Sequence, residues 1–79
     1  MHAPDKAKLE QIASELLGSR STRSIYVPAL AERGHEPVEV MRLIADYTRL
    51  PEQARTFSFE LIEEAEVATR IMIRRSASA

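Results

Sequence analysis

The chain has 79 residues, 44% of them hydrophobic and 29% charged, with a formal net charge of −1. That length suits one domain with one modest core and leaves little interior volume for a catalytic pocket. The lack of cysteine excludes disulfide stapling and thiolate metal sites, and the near-neutral charge excludes the overall basicity of a strongly nucleic-acid-binding chain, leaving only local basic patches.

In chain order, Asp5 is a candidate cap for a first helix, in which Leu9, Ile12, Ala13, Leu16 and Leu17 recur at helical spacing before Gly18 stops it. Residues 19–24 contain no apolar side chain and read as an exposed linker. Ile25, Tyr26 and Val27 are good strand formers, so the start of a second, shorter helix is ambiguous; its secure part is Pro28 to Arg33, ended by Gly34. Glu36-Pro37 opens a third helix running to about Arg49, where Leu50-Pro51 interrupts it. Its polar residues Glu39, Arg42, Asp46 and Arg49 alternate in sign, and apolar residues fill most other positions.

From Pro51 to Arg75 the chain has no glycine or internal proline, which predicts a fourth helix of about 37 Å. Ala54, Phe57, Leu61, Ala65, Ala68 and Met72 form one stripe on it. Phe59, Val67 and Ile73 lie away from that stripe and Ile62 at its edge, too much apolar surface for one side. The expected fold is therefore an all-α four-helix bundle. Three shorter helices pack on a long C-terminal helix in a single domain, residues 1–79, with ends that fray at about 1–4 and 76–79.

No catalytic constellation is visible. His35-Glu36 begins like a zinc-protease motif, but Glu39 stands where the second histidine is required. Gly18-Ser19-Arg20-Ser21 lacks the glycines and lysine of a phosphate loop. Glu60, Glu63, Glu64 and Glu66 point in different directions on a helix and read as solvated, with Glu66 pairing to Arg70. No metal, cofactor or small-molecule substrate is expected, and the protein is read as a non-enzyme.

Two binding readings remain. In the leading one the protein is a cytoplasmic adaptor or regulator, self-associating as a homodimer through Phe59, Ile62, Val67 and Ile73 on the second face of the fourth helix. In the alternative it is a small transcriptional regulator. Residues 29–40 have the short helix, glycine turn and longer helix of a helix-turn-helix, and Arg20, Arg23, Arg42 and Arg49 are the candidate phosphate contacts. Against DNA, the third helix would offer Glu36 and Glu39 to the groove. A ribbon-helix-helix built on residues 22–27 would leave the N-terminal helix unexplained. The absence of a membrane-length apolar run and of a signal-peptide pattern at the first residues sets the expected compartment as the cytosol.

Overall fold

The computed structural model describes the backbone of residues 1–64 and 68–76, and the side chains of all of these except Glu64 and Ala68. The described residues form α1 (Ala3–Leu17), β1 (Thr22–Tyr26), α2 (Ala29–Glu32), α3 (Pro37–Tyr47), a 3-10 turn (Glu52–Ala54), β2 (Phe57–Glu64) and β3 (Ala68–Arg75). The fold is therefore α+β, which overturns the all-α helical bundle. The strands form one antiparallel sheet in the order β1-β3-β2, so the first strand pairs with the last.

The helical half of the chain follows its local signals. Leu9, Ile12, Ala13, Leu16 and Leu17 are the buried face of α1, and Gly18 ends it at φ +59°, donating its N–H to Ser14 O at 2.9 Å. Gly34 turns the chain between α2 and α3 at φ +84°. Glu36 caps α3 by accepting the Glu39 N–H at 2.8 Å, and Pro37 occupies the first turn, where no donor is needed. A Cβ placed on Gly18 would meet nothing within 4 Å, so any cost of replacing it is conformational. With ψ at −125° beside its positive φ, this residue is in a region that L side chains sparsely populate. Gly18→Ala is expected to lower unfolding stability by about 1–3 kcal/mol, read by urea titration.

The C-terminal half departs from the expected helix, and its own alternation gives the reason. Phe57, Phe59 and Leu61 recur every second residue, as do Ile71 and Ile73. Period two scatters these side chains around a helix but collects them on one face of a strand. The register places Phe59 opposite Ile73 and Leu61 opposite Ile71, with Ile25 of β1 against Ile71 on the other side. Phe57, Ile25, Ile71 and Ile73 are buried with the apolar faces of α1 and α3 and with Leu30 of α2. The apolar excess that no single helix face could hold is thus the inner face of a sheet. Residues 22–26, read partly as linker and partly as ambiguous strand, supply its short first strand.

The self-association surface loses its basis with the fourth helix. Ile73 is 2% exposed in the core, and Phe59 packs edge-to-face on Tyr47 with ring centroids 5.4 Å apart. Ile62 is half-buried and shares the opposite face of the sheet with Arg70, its cross-strand neighbour. Val67 lies outside the described residues, as do Ala65, Glu66 of the expected Glu66–Arg70 pair and the tail from Ala77.

One polar cluster ties the layers together. The Tyr47 hydroxyl donates to Glu10 Oε2 of α1 at 2.7 Å and accepts from the backbone N–H of Thr56 at 2.8 Å and of Phe57 at 3.3 Å. One hydroxyl at the end of α3 therefore fixes both the N-terminal helix and the start of β2.

Candidate functional site

Two surfaces carry chemistry. The first is the helix-turn-helix of α2 and α3 with the β2–β3 hairpin that follows it. The α2–α3 turn is closed by His35 N–H donating to Leu30 O at 3.0 Å and Gly34 N–H donating to Ala31 O at 3.1 Å. His35 Nε2 lies 3.5 Å from Glu15 Oε1 of α1, outside hydrogen-bond geometry, which places the turn against the first helix.

The solvent face of α3 is neutralised from within. Arg42 donates from Nη2 and Nε to the two carboxylate oxygens of Glu39, at 2.7 and 3.1 Å, and its Nη1 lies 3.4 Å from Asp46 Oδ2. Lys8 of α1 approaches the same Glu39 at 4.0 Å. The hydrogen bonds and charge of Arg42 hold the Glu39 carboxyl below its usual range, and Glu39 in turn raises the affinity of Arg42 for its proton. Val38, in the first turn of α3, is 74% exposed. Along the hairpin Glu60 and Glu63 are exposed, and Leu61 between them is 48% exposed although it alternates with the inward residues. β2 is an edge strand, paired with β3 on one side only among the described residues.

The second surface lies at the other end of the sheet, where β3 finishes beside the start of β1 and β2. Two open concavities flank Arg74 and Arg75: one of about 550 Å³ towards Thr22, Ser24 and Met72, and one of about 270 Å³ towards Arg55, Ser58 and Ser76. Arg75 is held in place by donating to Arg20 O at 3.2 Å and Gly18 O at 2.8 Å, with its guanidinium 5.7 Å from the centre of the Phe57 ring.

The four arginines singled out in the sequence do not form one site. Arg20 contributes its backbone carbonyl to Arg75, and its exposed side chain makes no ion pair among the described residues. Arg23 folds back to donate to Leu16 O at 2.7 Å, closing the end of α1. Arg42 is occupied by Glu39, and Arg49 is exposed in the turn after α3. The cationic cluster the structure assembles is Arg55, Arg74 and Arg75. Its visible trace in the sequence was the Arg74-Arg75 dipeptide; Arg55 joins it only through the pairing of β2 with β3.

Among the described residues no group of three His, Cys, Asp or Glu side chains could hold a metal ion, and no helix is long and apolar enough to cross a membrane. Comparison with known proteins finds no family model, no curated relative and no solved structure that matches this chain.

Proposed function

We propose that the protein is a non-enzymatic binding module of the helix-turn-helix type that acts by contact with another protein, through the β2 edge of its hairpin. The observation that carries this reading is the neutralised α3 face. A reading helix must offer free donors to base edges and phosphates, and here the guanidinium of Arg42 is already taken by Glu39. Phosphate would also meet the exposed Glu60 and Glu63 on the hairpin.

The same features suit a protein partner. An open strand edge offers backbone hydrogen bonds to an added strand, Leu61 offers an apolar contact, and Glu60 and Glu63 select a segment in which basic and apolar residues alternate. Affinity capture from the native host with wild-type bait, L61E and an E60K/E63K double variant tests this. A partner retained by the wild type and lost with both variants, all three giving the same far-UV circular dichroism, is the expected result. Equal capture by all three would overturn the reading.

The topology favours a second reading. α2, the Gly34 turn and α3 keep the short helix, turn and longer helix that can place a reading helix in the major groove, with the strand before α2 paired to the last strand. This supports the transcriptional-regulator alternative at the level of fold alone.

A further inference from the structure

We infer that the end of the sheet where Arg55, Arg74 and Arg75 converge is a binding site for a compact phosphate-bearing ligand, separate from the hairpin edge assigned to a protein partner. Three observations converge there. Among the described residues none of these arginines is in an ion pair, in contrast to Arg42 on α3. The Nε of Arg55 is buried without a hydrogen-bond partner, one of two side-chain polar atoms in that state among the described residues. And Arg55, Arg74 and Arg75 line one cavity of about 270 Å³ with the hydroxyl-bearing Ser58 and Ser76.

The guanidinium groups of Arg55, Arg74 and Arg75, which no carboxylate among the described residues neutralises, offer charge-assisted hydrogen bonds to an oxyanion in the cavity they line. The fixed position of Arg75, tied to two carbonyls and lying over Phe57, provides a preorganised positive charge that loses little freedom on binding. Forked guanidinium groups and hydroxyls arriving from two strands match the several acceptor oxygens of a phosphate better than the two of a carboxylate. A long polyanion fits poorly, because Glu52 lines the same cavity and Glu60 continues along β2. The ligand is therefore a phosphate group on a small carrier.

Titration of the full ¹⁵N-labelled chain with inorganic phosphate, at ionic strength held constant with sodium chloride, tests the site by amide shifts. Saturable shifts confined to Arg55, Ser58, Arg74, Arg75 and Ser76 are expected, with a Kd on the order of 1 mM or tighter. R74Q, at an exposed position, and R55Q should each weaken binding by about tenfold, while R49Q leaves it unchanged. Titration with phosphoserine and with AMP then distinguishes an amino-acid carrier from a nucleotide, the tighter of the two identifying the source. Linear, non-saturating shifts, equal shifts with sodium acetate, or undiminished binding to R74Q would overturn the inference.

Discussion

Ile73→Ala is expected to lower the unfolding free energy by about 2–5 kcal/mol, the cost of emptying a fully buried branched side chain from a core that cannot collapse around the hole. Ile73 is 2% exposed, pairs with Arg23 on one side and Phe59 on the other, and belongs to the same core as Leu9, Leu43 and Tyr47. Ile62→Ala is the matched comparison, because Ile62 stands on the opposite face of the sheet; it should cost about 1 kcal/mol or less. On a single helix Ile62 and Ile73, eleven residues apart, would project within about 20° of each other and respond alike. Urea titrations followed by circular dichroism therefore read the strand assignment directly from the inequality between two isoleucines.

The second large effect is at Tyr47. Tyr47→Phe keeps the ring and its edge-to-face contact with Phe59 but removes the hydroxyl that serves Glu10, Thr56 and Phe57. The loss leaves backbone donors at the start of β2 without that acceptor, and about 1–3 kcal/mol of stability should go with it. Burial and the bond to Glu10 push the Tyr47 hydroxyl above its usual pKa, so it remains protonated through the neutral range. Glu10 supplies a pH signature. Burial alone would raise its pKa, but hydrogen bonds from Tyr47 and Thr56 and the charge of Lys6 outweigh burial and hold it below its ordinary value of 4.5. A carboxyl whose pKa is lower folded than unfolded contributes stability above the unfolded value and loses it as pH falls through the folded one. Wild-type stability should thus decline as acid is added below about pH 4.5, and the decline attributable to Glu10 should be smaller in Tyr47→Phe, whose unfolding midpoints from pH 3 to 7 give the comparison.

The two halves of the chain differ in how much of their structure local signals convey. In α1 and α3 the side chains that meet the core repeat at the helical period, and glycine or proline stands at the boundaries, so the expected and observed elements agree within a few residues. Between Pro51 and Arg75 two periods compete. Ala54, Phe57, Leu61 and Met72 fit a helix, while Phe57, Phe59, Leu61, Ile71 and Ile73 fit strands. What decides between them is the partner that strands require, and β1 lies far back along the chain in residues whose polarity resembles a linker. The β1–β3 pairing is non-local, and the Thr22 to Tyr26 segment shows it only as a run of hydroxyl and β-favouring residues.

Site residues follow the same division. The mutual neutralisation of Glu39, Arg42 and Asp46 depends on residues three and four apart and is legible in the sequence. The Arg55–Arg74–Arg75 cluster depends on the hairpin register and was not. Arg23 illustrates the converse, since an arginine in an apparently exposed linker proves to be spent on a helix C-terminus.

The measurement that bears most directly on function is a fluorescence-anisotropy titration of the full chain against random-sequence duplex DNA and duplexes from the region around its own gene, at about 150 mM salt. With α3 neutralised by its own carboxylates and Glu60 and Glu63 exposed on β2, no duplex should bind with a Kd below about 10 μM, and any residual binding should weaken as salt is raised. A nanomolar Kd for one duplex, lost when its sequence is scrambled, would contradict the protein-contact assignment in favour of the transcriptional-regulator reading.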